Sequence, residues 1–184
     1  MFDTFEDENF MYIIMELVKG ANLLKHLMSK QRSEGTVRGV MRSLVDGLGY
    51  LHSIGIAHRD IKFENIIVDA HSGVPKYIDF GLSKVFVVGE KSTERFGTLA
   101  YSSPEVLLGH FHDLKADVWS LGVVLHVLLT GVFPFLNDDK EITKRNIVFE
   151  RLTLKSPAWL KVSSSALDLV CRMLEKRGEH RLTI

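Results

Sequence analysis

The pattern of hydrophobic and polar positions predicts a mainly helical chain with a small β component. Between Val37 and Leu51, hydrophobic residues recur at steps of three and four, which is the spacing of one face of an amphipathic helix. Residues 118–130 are apolar with little interruption, and Gly131 follows them. At 13 residues this run is shorter than the ~20 that a membrane-spanning helix needs, so we expect a core helix buried on all sides.

Shorter patterns predict the remaining elements. Residues 10–15 are apolar and aromatic, which is typical of a buried strand. Two β-prone runs, residues 66–68 and 76–78, flank a turn-like segment and predict a hairpin. Further helices are expected at residues 23–28, 138–147 and 163–174.

The last predicted helix begins in a run of three serines. Ser163, Ser164 and Ser165 are all candidates for its N-cap. Ser165 and Asp168 also have the spacing of a capping box.

Residues 82–103 are polar and have no sustained period, so they are predicted to form a long loop. Long ordered loops inside compact domains are usually functional. The order of elements is then strand, helix, hairpin, long loop and several helices. That order indicates an α+β fold in one domain of 184 residues.

Composition narrows the class of protein. Hydrophobic residues make up 46% and charged residues 25%, ordinary values for a folded domain, and the formal net charge of +0 argues against nucleic-acid binding. The acidic N-terminal residues do not resemble a secretory signal, and no membrane segment is recognised. The single cysteine, Cys171, lies in an apolar run and is expected to be a buried, unreactive thiol. We expect a soluble, intracellular protein of the cytoplasm.

Four short motifs occur in a fixed order along the chain. They are H-R-D-x-x-x-x-N at residues 58–65, D-F-G at 79–81, S-P-E at 103–105 and D-V-W-S-L-G at 117–122. Each motif alone is a weak signal, because an isolated D-F-G is a common turn. The ordered set is specific, and the competing interpretation, an unrelated helical scaffold, requires the whole order to be accidental.

These motifs contain the residue types that phosphoryl transfer requires. Positioning and charge stabilisation dominate that reaction. Asp60 can orient a substrate hydroxyl and accept its proton. Asn65 and Asp79 can supply oxygen ligands that hold Mg²⁺ on the phosphates. Lys62, two residues from Asp60, can offset the charge that develops at the γ-phosphate.

The chain resembles the eukaryotic Ser/Thr protein kinases over nearly its whole length, and most closely the calcium/calmodulin-dependent and calcium-dependent group. Besides the four motifs, the likeness is carried by residues 97–101, 117–123 and 156–159. The resemblance implies a protein-kinase-like fold, with residues 1–15 as a remnant of the N-lobe sheet, 16–22 as the hinge and 23–184 as a mainly helical C-lobe. It also implies ATP and Mg²⁺ as cofactors and a protein Ser or Thr as the acceptor.

The same resemblance implies roles for individual side chains. Lys62 and Thr98 point to Ser/Thr specificity, since Thr98 is similar to the threonine that contacts the catalytic aspartate. The residues expected around adenine and ribose are the gatekeeper Met15, the hinge from Glu16 to Val18, Asn22 near the ribose and Ile67 beneath the adenine. The residues expected to give structural support are Glu105 paired with Arg181, and Asp117 on the backbone of residues 58 and 59.

The long loop contains two candidate regulatory residues, Glu94 and Thr93. In related kinases the arginine at Arg59 usually pairs with a phosphate on this loop. Glu94 stands where many relatives carry a phosphorylated threonine, so one hypothesis is that Glu94 pairs with Arg59 and orders the loop without phosphorylation. The alternative is a solvated Glu94 in a mobile loop, and Thr93 keeps regulation by phosphorylation open.

Several departures from the family bear on activity. No G-x-G-x-x-G loop occurs in the sequence, and neither the family's strand lysine nor its helix glutamate precedes the hinge. Phe63 and Ser103 replace the usual Pro and Ala, and no EF-hand loop is present. We therefore expect weak ATP binding and little phosphoryl transfer from residues 1–184 by themselves, with a missing N-lobe or a regulatory partner. The alternative function is a non-catalytic kinase-like fragment that binds or regulates a partner, although the intact catalytic-loop and D-F-G residues favour an enzyme.

Overall fold

A computed structural model describes residues 2–28, 33–87, 89–154 and 157–184 of the chain. The α-helices are α1 (Leu23–Met28), α2 (Glu34–Ser53), α3 (Pro104–Leu108), α4 (Lys115–Thr130), α5 (Lys140–Phe149) and α6 (Ser164–Met173). The strands are β1 (Asp3–Glu6), β2 (Met11–Ile14), β3 (Gly20–Asn22), β4 (Ile56–Ala57), β5 (Ile66–Asp69), β6 (Pro75–Tyr77) and β7 (Lys84–Val85). Ser156, which belongs to one of the sequence motifs, lies outside the described residues.

Helix α4 forms the centre of the hydrophobic core. It is buried on nearly every side, as predicted, and Trp119 is 0% exposed. Helices α2 and α6 pack against it. Gly122 allows this close approach, because a Cβ there would lie 2.9 Å from the Cβ of Met173. The helix begins before the apolar run, at Lys115, and ends at Thr130. Gly131 caps it, with a left-handed φ of 81° that favours glycine.

Helix α2 presents the amphipathic face that the spacing predicted. Val37, Met41, Leu44 and Leu48 are its buried residues. Its first turn is capped by Ser33, whose hydroxyl accepts a hydrogen bond from the N–H group of Thr36 at 3.1 Å. The apolar face that the sequence spacing predicted is therefore the face that is buried in the fold.

The two shorter helices predicted at residues 23–28 and 138–147 are also present. Helix α5 begins later than expected, at Lys140, because the Asp139 carboxylate accepts hydrogen bonds from the first N–H groups of the helix. Nothing in the described part of the chain is both long enough and apolar enough to be a membrane-spanning helix.

Strands β5 and β6 form the predicted antiparallel hairpin. Strand β3 pairs with the other side of β5, so that the sheet has the order β3-β5-β6. Helix α1 contacts β3 and β5, and α2 contacts β6. The α+β class is therefore confirmed, with six α-helices and three small antiparallel sheets among the described residues.

The strand expected at residues 10–15 forms as β2, but its predicted burial is wrong. Strand β2 pairs with β1 in a two-stranded hairpin, and all four residues of each strand are exposed. Ile13 and Ile14 are 50% and 45% exposed. An apolar strand is buried only where a second layer covers it, and in the described chain neither face of this hairpin is covered.

The capping box expected for α6 is also wrong. The N-cap is Ser163, whose hydroxyl accepts a hydrogen bond from the N–H group of Ala166 at 3.2 Å. Ser165 consequently lies inside the helix, and Asp168 instead faces Arg172 across an exposed pair at 3.7 Å.

Cys171 is exposed, contrary to the expectation of a buried thiol. It lies on the outer side of α6, whose buried residues are Val170 and Met173. Partial burial, followed by the charge of Asp168, still raises the pKa of the Cys171 thiol, which keeps the reactive thiolate scarce at neutral pH.

Residues 82–103 form the predicted long loop, which nevertheless contains short regular pieces. Strand β7 pairs with β4, and a single β-bridge joins Ser92 to His112. A 3₁₀ turn at Leu99–Tyr101 then leads into α3, which the sequence did not predict. These contacts anchor the loop beside residues 58–65.

Candidate active site

The loop at residues 58–65 is held by Asp117, which lies in the first turn of α4 and is 1% exposed. The Asp117 carboxylate accepts hydrogen bonds from the backbone N–H groups of His58 and Arg59, both at 2.8 Å. His52 lies against the same carboxylate at 3.1 Å. Arg59 has a φ of 67°, a strained conformation for a residue with a side chain, so these bonds hold the backbone in a shape it would not keep alone.

The carboxylate of Asp60 is the centre of a hydrogen-bond network. Its Oδ2 accepts from Lys62 Nζ at 2.6 Å and from Asn65 Nδ2 at 2.9 Å. Its Oδ1 accepts from the hydroxyl of Thr98 at 3.2 Å. Lys62 Nζ also donates to that hydroxyl at 3.2 Å, so one cation joins the two loops. The structure thus brings Thr98 of the long loop against three residues of the H-R-D-x-x-x-x-N motif.

Asn65 and Asp79 lie side by side at the open end of the β5–β6 hairpin. The backbone carbonyl of Asn65 accepts a hydrogen bond from the N–H group of Ile78 at 2.9 Å, which places the next residue, Asp79, beside it. The Asn65 amide group donates both its hydrogen bonds to Asp60, and its oxygen accepts none in the described chain. Asp79 is exposed, with a φ of 61°.

The donor set of Asn65 and Asp79 fits Mg²⁺. Both side chains present oxygen atoms, which this cation prefers, and neither is buried in an ion pair. No group of three or more His, Cys, Asp or Glu side chains in the described residues could hold a metal by itself. A two-ligand site therefore suits an ion that takes its remaining ligands from phosphate and water.

His58 connects the loop to the D-F-G segment. Its ring is fully buried, and Nε2 lies 3.1 Å from the carbonyl oxygen of Ile78. The ring packs against Phe80, with centroids 4.8 Å apart. The contacts of His58 with Ile78 and Phe80 therefore hold the segment that carries Asp60 beside the segment that carries Asp79.

Arg59 contacts Glu94, as expected by one of the two alternatives that the sequence left open. Its Nη1 donates to Glu94 Oε2 at 2.5 Å, its Nε donates to the carbonyl oxygen of Leu82, and its guanidinium lies 4.7 Å from the ring centre of Phe96. The Arg59 hydrogen bond, followed by the charge of Lys84, lowers the pKa of Glu94. The Thr93 residue beside it is exposed.

Glu105 and Arg181 form the expected pair. Two parallel bonds join Arg181 to the Glu105 carboxylate, at 2.6 and 2.9 Å, and Arg181 is 2% exposed. Arg181 also donates to the carbonyl oxygens of Lys115 and Glu175, and its guanidinium lies 5.1 Å from the Trp119 ring centre. Burial alone would raise the pKa of Glu105, but its bonds to Arg181 lower it.

Of the residues expected around a nucleotide, Asn22 and Ile67 belong to the β3-β5-β6 sheet. Asn22 is opposite Ile67 in the β3–β5 register, although its side-chain oxygen already caps α1 by accepting from the N–H group of Lys25 at 2.9 Å. Glu16 accepts a hydrogen bond from Lys76 of β6. Met15 is 61% exposed. Val18 is half-buried.

Sequence reasoning missed His52 and His112. Each of these histidines contacts a part of the chain that is distant in sequence. His52 lies against Asp117, and His112 pairs with the long loop. No local pattern marks such positions, because an isolated histidine has no helical or strand period. The double occurrence of histidine at residues 110 and 112 was the only available signal.

Comparison with known proteins agrees with this geometry. Residues 1–184 match the family model described as the protein kinase domain. The chain is 37% identical over 184 residues to calcium-dependent protein kinase 7 of Arabidopsis thaliana, an alignment that covers 98% of this chain and 34% of the relative. It is 35% identical over 185 residues to a probable myosin light chain kinase of Dictyostelium discoideum, covering 100% of this chain and 59% of the relative.

A putative ribosomal protein S6 kinase alpha-1 of Caenorhabditis elegans is 36% identical over 193 residues, covering 100% of this chain and 24% of the relative. The chain belongs to the protein kinase domain family. It spans less than two thirds of the length of each of these relatives.

Proposed function

We propose that this chain acts in a Ser/Thr protein kinase and transfers the γ-phosphate of ATP to a Ser or Thr hydroxyl of a protein. The observation that carries the proposal is the network at Asp60, whose carboxylate is bonded by Lys62, Asn65 and Thr98. Asp79 lies beside Asn65 at the end of the same hairpin. Family membership and the names of the three relatives support the proposal.

In the proposed reaction Asp60 orients the acceptor hydroxyl and takes its proton. The hydroxyl oxygen bonds to the γ-phosphorus while the bond to the leaving ADP breaks, so the protein has little covalent work to do. Lys62 bonds both Asp60 and Thr98, which keeps a cation where negative charge develops on the transferred group.

Asn65 and Asp79 are the residues that would hold Mg²⁺. The family uses this ion with ATP, and when bound it would neutralise charge on the phosphate oxygens. Because Asn65 donates both amide hydrogens to Asp60, its oxygen is turned away from the base and is available to the ion. The same side chain therefore couples the position of the ion to that of the base.

We infer that the nucleotide base and ribose lie over the β3-β5-β6 sheet. Met15, Glu16 and Val18 would contact adenine from the hinge, with Ile67 beneath it and Asn22 near the ribose. The strand register supports this arrangement, because it sets Asn22 opposite Ile67. Residues 1–15 then act as N-lobe strands, 16–22 as the hinge and 23–184 as the C-lobe.

The decisive substitution is Asp60→Asn in a form of the protein that includes the N-lobe, assayed for transfer of radiolabelled phosphate from Mg²⁺–ATP to a serine-containing peptide. Asparagine keeps the shape of the side chain but cannot accept the proton, so kcat should fall on the order of 10²–10⁴-fold. Nucleotide binding, measured by titration calorimetry, should persist. Asp46→Asn is the matched control, since Asp46 is exposed on α2.

Two results would count against the proposal. One is phosphoryl transfer that is equally fast in the Asp60→Asn and Asp46→Asn proteins. The other is Mg²⁺–ATP binding without any transfer, which would favour the alternative function of a binding or regulatory module. Broadening of the NMR signals of Asn65 and Asp79 by Mn²⁺–ATP detects the ion site even where binding is weak.

A further inference from the structure

His112 is a buried residue that contacts the long loop at two places. It lies in the connection between α3 and α4 and is 3% exposed. Its backbone N–H and carbonyl groups pair with those of Ser92, both at 2.9 Å. Its ring packs edge-on against Phe96, with centroids 5.1 Å apart and planes at 69°. One residue thus holds both the middle and the end of the loop.

The contacts of His112 continue to the base through two further side chains. Phe96 has the Arg59 guanidinium 4.7 Å from its ring centre. Arg59 in turn binds Glu94 and directly precedes Asp60. His112, Phe96 and Arg59 therefore form a continuous series of contacts from the α3–α4 connection to the catalytic loop.

The polar groups of the His112 ring favour its neutral form. Nδ1 lies 3.2 Å from the carbonyl oxygen of His110 and donates to it, while Nε2 is buried and makes no hydrogen bond in the described residues. Protonation would place a second N–H group and a positive charge in a buried position without an acceptor, which is costly.

Charged groups on four elements interact with the ring. Arg59 of the catalytic loop opposes protonation, and Glu105 of α3 and Asp113 of the α3–α4 connection favour it. Glu94 of the long loop also interacts with the ring. Burial is the largest influence, and it lowers the pKa of His112 from its ordinary value.

We propose that His112 is a positioning residue that docks the long loop against Arg59 when its ring is neutral and releases the loop when the ring is protonated. The docking itself does not depend on the proposed function; only its effect on phosphoryl transfer does.

Proton linkage gives the direction and size of the effect. The docked ring has a lowered pKa, whereas a released, solvated ring has the ordinary pKa of about 6.5. Between these two pKa values the released state binds more protons, so acid favours release, by up to about tenfold per pH unit. The pKa of Glu94 is also lowered, so that carboxylate titrates below its ordinary range and stays ionised between pH 8 and pH 5.

The test is amide hydrogen exchange by NMR between pH 8 and pH 5, corrected for the intrinsic pH dependence of exchange. The amides of Ser92 and His112 report docking directly, since they bond each other's carbonyl groups. Their protection should be constant above pH 6.5 and fall by up to about tenfold per pH unit below it. The amide of Leu48, buried in α2, is the internal reference.

Two substitutions separate titration from packing. His112→Phe keeps an aromatic ring against Phe96 but cannot be protonated, so protection of the Ser92 amide should be independent of pH. His112→Gln, also neutral at every pH, answers the same question if the phenylalanine variant does not fold. Wild-type protection that is flat from pH 8 to pH 5, or an acid-dependent loss that survives in both variants, would overturn the proposal.

Phosphoryl transfer is measured for the wild type and His112→Phe in the form of the protein that includes the N-lobe. If the loop is released in acid and transfer declines with it in the wild type but not in His112→Phe, both proposals stand. If protection falls in acid and no transfer is seen at any pH, the positioning role stands and the proposed kinase activity fails.

Discussion

At the scale of single residues, Arg59 joins three parts of the molecule. Its backbone is held by Asp117, and its side chain binds the carbonyl oxygen of Leu82 and the carboxylate of Glu94. A carboxylate at Glu94 thus supplies negative charge where a loop phosphate would otherwise be needed. This arrangement favours the hypothesis of a built-in acid, and it leaves the exposed Thr93 as the alternative control point.

The built-in acid predicts different results for two neighbouring substitutions. Glu94→Ala should lower phosphoryl transfer, by up to about fivefold, because an ion pair with an exposed partner contributes modestly. Thr93→Ala should leave transfer unchanged, since the Arg59–Glu94 pair remains intact. Steady-state kinetics of both variants decide the matter. If Glu94→Ala is as active as the parent while Thr93→Ala is inactive, the loop depends on phosphorylation instead.

At the scale of elements, the first turns of α2 and α6 are joined by one carboxylate. Glu34, in the first turn of α2, accepts hydrogen bonds from the N–H group and the hydroxyl of Ser163, both at 2.7 Å. Those bonds, the backbone bond first, lower the pKa of Glu34. In a capping box the acidic partner lies three residues after the cap. Here a separate helix supplies it, which fixes α2 and α6 relative to each other.

The cap of α6 can be tested against the residue that the sequence pattern favoured. Ser163→Ala removes both the N-cap and the hydroxyl bond to Glu34, so the free energy of unfolding should fall by about 1 kcal/mol. Ser165→Ala is the matched control inside the helix and should change it by at most ~0.5 kcal/mol. Urea unfolding followed by circular dichroism measures both. A larger loss of unfolding free energy for Ser165→Ala than for Ser163→Ala would mean that Ser165 is the N-cap.

At the scale of the whole molecule, the Glu105–Arg181 pair connects the last residues of the chain to its centre. Arg181 bonds α3 through Glu105 and α4 through the carbonyl oxygen of Lys115, while stacking on Trp119. Burial removes both charges from water, so each depends on the other. The pair thereby ties α3, directly after the long loop, to the core helix.

Breaking this pair should be costly. Arg181→Met leaves the Glu105 carboxylate buried without its partner, and the free energy of unfolding should fall by about 3–5 kcal/mol. Arg172→Met is the matched control, because Arg172 faces Asp168 in an exposed pair and should contribute ~0–1 kcal/mol. Chemical denaturation of the two variants provides the measurement. Equal losses of unfolding free energy in the two variants would mean that the Glu105–Arg181 pair stabilises the fold no more than an exposed ion pair does.

The sequence by itself determined most of the helices, the β5–β6 hairpin and the candidate catalytic residues. Helical spacing from Val37 to Leu51, the apolar run before Gly131 and the turn between β5 and β6 are local signals, and each produced the expected element. The ordered motifs likewise identified Asp60 and Asn65, because residues close in sequence within a loop stay close in space.

Only the tertiary structure decided the exposure of β2 and Cys171 and the long-range contacts that no motif contains. β2 is exposed because no second layer in the described chain covers it, and Cys171 faces outward on α6. The N-cap fell on Ser163, whose second partner, Glu34, is 129 residues away. His112 became important only when folding placed Ser92 and Phe96 against it. Local periodicity carries no information on which distant surfaces meet, so these outcomes depend on packing that a reading along the chain does not contain.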